Sequence, residues 1–172
     1  MLPPVPDLPQ RGYGLLADNI TDEQTGACSV GVIEPQRQYG GWPVTITALR
    51  QQQGDDTNTI TTSMPLLFSF PYKYNAKLCN NYSDWVVHRS LIGDDDSLET
   101  VMLGYSDHPI SDSLFYIRPY DSSEKLYKLV SCHCSVCKHI GIHIDERSKT
   151  KRLVVTDGEP LVMRFVNRGR WL

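Results

Sequence analysis

The spacing of the apolar residues is the strongest constraint on the fold, because they alternate with polar residues along many short segments. A period of two places alternate side chains on one face of a β-strand, whereas a helix repeats its apolar face every 3.6 residues. Glycine and proline interrupt most windows that are long enough for a helix. The sequence therefore predicts an all-β protein, with these apolar strand faces: Val44/Ile46, Leu66/Phe68/Phe70, Val101/Leu103, Phe115/Ile117, Ile140/Ile142/Ile144 and Leu161/Met163/Phe165.

Clusters of Gly, Asp, Ser and Pro separate these segments, which is typical of a barrel or a sandwich of short strands. An internal repeat of apolar triplets favours the barrel. Apolar triplets that begin at Leu66, Leu114 and Leu161 recur roughly 48 residues apart. Three similar units are the plan of a β-trefoil.

The length and charge of the chain narrow the classes of function. A chain of 172 residues suits a single domain spanning residues 1–172. The net charge is −3, and the Lys and Arg residues are scattered. The chain therefore lacks the concentrated positive charge that attracts nucleic acid or an anionic membrane surface. No apolar stretch approaches the roughly 20 residues that cross a bilayer. We expect neither nucleic acid nor membrane as a partner.

The five cysteines predict disulfide staples. Cys28 and Cys79 lie far apart, while Cys132, Cys134 and Cys137 crowd together, a pattern that indicates one long-range bridge, one short bridge and one unpaired thiol. Such bridges require an oxidising compartment. The alternative is a zinc site in the C-terminal cluster, formed by Cys132, Cys134, Cys137, His139 and His143. The lack of a second Cys-x-x-Cys motif argues against that alternative, and we expect no metal and no cofactor.

Two sequons agree with a route through the secretory pathway, to the vacuole or out of the cell. Asn19-Ile20-Thr21 and Asn81-Tyr82-Ser83 make Asn19 and Asn81 candidates for N-glycosylation. The segment after Met1 carries no signal peptide. We therefore expect the natural N-terminus to lie upstream of Met1.

Several motifs follow one another over most of the chain from about Leu15. They are Gly41-Trp42-Pro43-Val44-Thr45-Ile46, Asp84-Trp85-Val86-Val87, Tyr127-Lys128-Leu129-Val130-Ser131-Cys132, Cys137-Lys138-His139-Ile140-Gly141-Ile142, Arg152-Leu153-Val154-Val155-Thr156-Asp157 and Glu159-Pro160-Leu161-Val162-Met163-Arg164-Phe165. In this order, they resemble the Kunitz-type soybean trypsin inhibitor family. The resemblance implies a β-trefoil with a six-stranded barrel capped by hairpins. The family's opening Asp-x-Gly segment and first strand, together with an early Asn that braces the reactive loop, are expected upstream of Met1.

The resemblance also implies the disulfide pairing. Cys28 pairs with Cys79 and Cys132 pairs with Cys137, which leaves Cys134 unpaired. The long bridge is then worth roughly 4 kcal/mol and the short one roughly 2 kcal/mol on the chain-entropy model.

A long polar connection after Ala48 corresponds to the reactive loop of the family, which is presented to a protease like a substrate. It covers residues 49–58, and the candidate contact residues are Leu49, Arg50, Gln51 and Gln52. Trypsin-like enzymes read a basic side chain in a pocket with a carboxylate at its base, which favours Arg50. Counting from Gly41 instead places Gln51 at the primary specificity position.

The resemblance thus predicts a monomeric inhibitor of a serine endopeptidase, trypsin-like or subtilisin-like, that is not itself an enzyme. The sequence contains neither a nucleophile elbow nor a phosphate-binding loop. The alternative is a storage, defence or carbohydrate-binding relative that keeps the scaffold without inhibiting. Trp85 is expected in the core and Trp42 at the base of the loop, so neither supports sugar stacking.

Overall fold

The structure, a computed structural model, describes residues 14–21, 26–35, 41–49, 60–62, 64–89, 98–104, 110–133, 135–146 and 148–165. These residues form eleven strands and two short 3₁₀ helices, Tyr72–Lys77 and Ile110–Ser113. The strands are β1 (Leu16–Thr21), β2 (Cys28–Glu34), β3 (Thr45–Ala48), β4 (Leu66–Ser69), β5 (Asp84–Arg89), β6 (Glu99–Gly104), β7 (Phe115–Asp121), β8 (Leu126–His133), β9 (Val136–Ile144), β10 (Lys151–Thr156) and β11 (Val162–Met163).

The strands pair antiparallel in a ring that returns to its starting point. From β2 the pairings run through β6, β5, β4, β7, β8, β9 and β10 and back to β2. A closed ring pairs the edges that an open sheet would expose. Outside the ring, β1 pairs with β2, β3 with β4 and β11 with β8. The all-β prediction is confirmed, and no helix of the described residues could span a membrane.

Aromatic side chains fill the centre of the barrel. Trp85 is only 1% exposed, and its ring centroid lies 5.3 Å from those of Phe68 and Phe70 and 6.3 Å from that of Phe115. Aromatic pairs at such distances add about 0.5–1.5 kcal/mol each beyond their area burial. The prediction that Trp85 belongs to the core is confirmed.

The predicted strand faces are correct in the middle of the barrel and wrong at two strand ends. Leu66, Phe68 and Phe115 are buried as expected. Ile144, the last residue of β9, is 52% exposed because the chain turns into solvent at Asp145, whose carboxylate binds Arg152 at 3.1 Å. Phe165 is 40% exposed because β11 ends two residues earlier. Alternation identifies a face but not the point where the strand leaves the core.

The β7–β8 connection shows why a polar turn forms where it does. The Asp121 carboxylate accepts hydrogen bonds from the Ser123 hydroxyl at 2.6 Å and from the backbone N–H groups of Ser123 and Glu124 at 2.9 and 3.3 Å. These bonds, chiefly that from the Ser123 hydroxyl, hold the pKa of Asp121 below its ordinary value. The turn then closes through Lys125 at φ +54°.

Candidate protease-binding loop and its base

The loop predicted to bind a protease leaves the barrel from β3 and returns through β4. These strands pair from Thr45 with Ser69 to Ala48 with Leu66. One residue further on, the Leu49 N–H donates to the Pro65 carbonyl at 3.0 Å. The chain therefore departs and returns at neighbouring points, and the pairing of β3 with β4, a strand of the closed ring, holds both ends of the connection.

The returning limb is ordered by contacts of its own. The Met64 N–H donates to the Thr61 carbonyl at 3.2 Å, and the Thr61 N–H points at the Met64 sulfur at 3.4 Å. The Met64 side chain also packs against the core cluster. Ile60, by contrast, is 41% exposed. The limb is thus attached to the core at Met64 and emerges into solvent by Ile60.

The base of the loop rests on the segment that precedes β1. The Trp42 N–H donates to the Leu15 carbonyl at 2.9 Å, and the Trp42 ring meets Phe70 edge-on with centroids 5.4 Å apart. This confirms that Trp42 packs at the base of the loop. Gly41 lies so close to Gly14 that an added Cβ would overlap its backbone. The position of Trp42 was predicted, but its partners Leu15 and Phe70 are distant in sequence and no local pattern identified them.

Of the four predicted contact residues, the structure places Leu49, which is half-buried and paired with Pro65. Arg50, Gln51 and Gln52 lie outside the described residues.

Two disulfides link the pairs that the resemblance implied, Cys28–Cys79 and Cys132–Cys137. Since Cys132 and Cys137 bind each other, neither offers a thiolate to zinc, which removes two ligands from the alternative metal site. Among the described residues, no group of three or more His, Cys, Asp or Glu side chains is arranged to hold a metal ion. Cys134 lies outside the described residues.

The fold defines the class of protein, an all-β chain with the β-trefoil architecture that the resemblance implied. The family model described as "Trypsin and protease inhibitor", the legume Kunitz family, matches residues 5–167. The chain belongs to this Kunitz-type family, whose members are inhibitors and not enzymes.

Solved structures and a curated sequence agree with this assignment. Trypsin inhibitor 1 from Senna obtusifolia is 43% identical, with 93% of this chain and 87% of that chain covered and a TM-score of 0.73. Soybean trypsin inhibitor in its complex with porcine pancreatic trypsin is 25% identical, with 88% and 82% covered and a TM-score of 0.65. The β chain of a Kunitz-type trypsin inhibitor from Neltuma juliflora is 56% identical over 34 residues, which are 20% of this chain and 87% of that one.

Replacing Gly41 with Ala tests whether the base positions the loop. The new Cβ would overlap the backbone of Gly14 and Leu15, so the base must shift. We expect a loss of about 1–3 kcal/mol in the free energy of unfolding, as for other overpacked sites, and weaker protease inhibition. Urea unfolding and inhibition constants measure the two effects.

Gly158→Ala is the matched control for this substitution. Gly158 is exposed, and its added Cβ would meet only the Thr156 hydroxyl, at 3.3 Å. We expect a change within about 0.5 kcal/mol in stability and none in inhibition. Equal effects of the two substitutions would contradict a special role for the Gly41 contact.

Proposed function

We propose that this protein inhibits a trypsin-like serine endopeptidase through the loop at residues 49–58, with Arg50 in the specificity pocket of the enzyme. The observation that carries the proposal is the closed base, in which the Leu49–Pro65 hydrogen bond extends the β3–β4 ladder. A loop whose ends are already fixed loses little conformational entropy when it docks. The similarity to trypsin inhibitors from Senna and soybean supports the same function.

The base also explains how such a loop would resist turnover. After cleavage of a peptide bond within residues 50–64, the β3–β4 pairing would keep both new ends attached to the barrel. The new amine would then stay beside the acyl-enzyme and favour resynthesis of the bond. Inhibition is therefore tight binding combined with slow release of product.

Titration of active proteases tests this proposal. We expect stoichiometric inhibition of trypsin at nanomolar concentrations, because protease–inhibitor complexes are among the tightest of their interface size. Chymotrypsin and subtilisin serve as comparison enzymes, and preferential inhibition of subtilisin would move the specificity away from Arg50. Failure to inhibit all three at micromolar concentrations would contradict the proposal and leave the storage, defence or carbohydrate-binding alternative, which the comparisons do not favour.

We also propose a monomer that passes through the secretory pathway, to be secreted or kept in the vacuole. The two disulfides support an oxidising compartment, since such bridges are rare in reducing ones. Sedimentation of the purified protein tests the monomer, and fractionation of the source tissue tests the compartment.

A further inference from the structure

The two sequons have the same pattern in the sequence but lie in different surroundings in the fold. Asn19 lies within β1, opposite Val30 of β2, whereas Asn81 lies in the irregular segment before β5. We propose that Asn81 is the N-glycosylation site of the native protein and that Asn19 is not modified. Asn19 instead acts as a clamp, a side-chain amide that attaches residues 77–79 to β1. The proposal concerns modification and does not depend on protease inhibition.

Both the oxygen and the nitrogen of the Asn19 carboxamide are hydrogen-bonded to one backbone segment. Its Oδ1 accepts from the Cys79 N–H at 2.9 Å, and its Nδ2 donates to the Lys77 carbonyl at 3.3 Å. The orientation of the amide follows from its partners, because the reverse would place donor against donor and acceptor against acceptor. The carboxamide therefore forms a two-point contact with the last residue of the first 3₁₀ helix and the segment that follows it.

This contact uses the edge of the amide that a glycan would occupy. Lys77 O and Cys79 N belong to one segment, so the hydrogen donated to Lys77 lies on the same side of the amide as Oδ1. In a glycosylated asparagine the sugar C1 replaces that hydrogen, because the secondary amide is trans. A sugar on Asn19 would thus remove the bond to Lys77 and take the place of its carbonyl. A chain modified there would fold without the clamp.

The clamp also has a structural reason to exist. Asn19 is paired with the buried Val30, so its side chain leaves β1 on the face that buries Ala17. Asn19 is itself exposed, so its amide is held in place by these two hydrogen-bond partners and not by burial. The segment that supplies them ends at Cys79, whose disulfide to Cys28 ties it to the same hairpin. Amide and disulfide together attach residues 77–79 to β1 and β2.

Asn81 presents the opposite situation. Both asparagines are exposed, but among the described residues the Asn81 side chain has no hydrogen-bond partner, whereas the Asn19 amide has two. The surrounding segment is held instead by its neighbours: the Tyr82 N–H donates to Asn80 Oδ1 at 3.2 Å, and the Phe70 N–H donates to the Ser83 carbonyl at 2.9 Å. A glycan on Asn81 therefore breaks no bond of the fold and extends from an irregular surface segment, where such modifications are accommodated.

Glycopeptide mapping of the full chain, secreted from a eukaryotic host, tests the site assignment. We expect one glycan, on Asn81, that is lost in Asn81→Gln without a change in melting temperature. A glycan on Asn19 of the folded, secreted protein would overturn the proposal, and so would an unmodified Asn81.

A pair of variants separates the sequon from the clamp. Thr21→Val destroys the first sequon but keeps the Asn19 amide and a β-branched residue in the strand, so we expect neither the mass nor the melting temperature to change. Asn19→Ala destroys the sequon and the clamp together, and we expect its melting temperature to fall by about 3–8 °C, since the Cys79 N–H and the Lys77 carbonyl lose their partner. Equal melting temperatures for these two variants would refute the clamp.

Discussion

Replacement of Arg50 with Ala is expected to weaken trypsin inhibition by about 2–5 kcal/mol, which raises the inhibition constant roughly 30- to 5,000-fold. Arg50 is the basic residue of the loop at residues 49–58. An Arg side chain in the trypsin pocket meets the carboxylate there through two hydrogen bonds, and its removal leaves that buried charge unpaired. We expect the free energy of unfolding to change by less than about 0.5 kcal/mol, as for other surface substitutions.

Gln51→Ala decides between the two possible registers of the loop. If counting from Gly41 gives the correct specificity position, the Gln51 variant shows the larger loss and the wild-type protein inhibits trypsin poorly. If Arg50 enters the pocket, the Gln51 variant retains most of the inhibition. Inhibition constants for the wild type and both variants, measured with their melting temperatures, separate these outcomes.

Arg118→Ala is a matched control for the loss of an arginine. Arg118 is exposed on β7, where its guanidinium lies 5.9 Å from the centre of the Tyr116 ring. Its removal takes the same charge from the surface and leaves the sequence of residues 49–58 unchanged, so we expect unchanged inhibition. An Arg50→Ala variant that inhibits as well as the wild type and the control would show that Arg50 does not make the contact.

The sequence predicted the fold well because the period of two is a local property. Leu66, Phe68 and Phe115 lie on strands that run through the centre of the barrel, and all three are buried. The period of two was therefore sufficient to predict which side chains face the core. Ile46 of β3 and the preceding Val44 are only half-buried, since β3 lies outside the ring and, among the described residues, pairs with β4 alone. The difference in burial depends on the position of a strand in the sheet, and the alternation of apolar residues does not reveal that position.

The base of the loop depends on contacts that are remote in sequence. Leu15 meets Trp42, and Leu49 meets Pro65, through backbone groups that carry no residue-specific signal. The two sequons illustrate the same limit. Asn19 and Asn81 match one three-residue pattern, but the partners of Asn19 lie 58 and 60 residues away at Lys77 and Cys79.

The long disulfide should contribute more to stability than the short one, by about 2 kcal/mol. Cys28–Cys79 spans 51 residues, and the double variant Cys28→Ala/Cys79→Ala is expected to lose about 4 kcal/mol in the free energy of unfolding. Cys132–Cys137 spans 5 residues, and its double variant is expected to lose about 2 kcal/mol. The difference arises in the unfolded chain, where the longer loop regains more conformational freedom.

The native contacts around each bridge favour the same order. Cys132 and Cys137 are directly paired residues of the β8–β9 hairpin, which hydrogen bonds already hold together. Cys79 instead belongs to a segment that reaches the β1–β2 hairpin through its disulfide and the Asn19 amide. Urea unfolding followed by the fluorescence of the buried Trp85 measures both losses. We also expect a steeper dependence on urea without the long bridge, because the released unfolded chain exposes more surface. A larger loss from the short bridge would contradict the chain-entropy argument and place the stabilisation in the native hairpin.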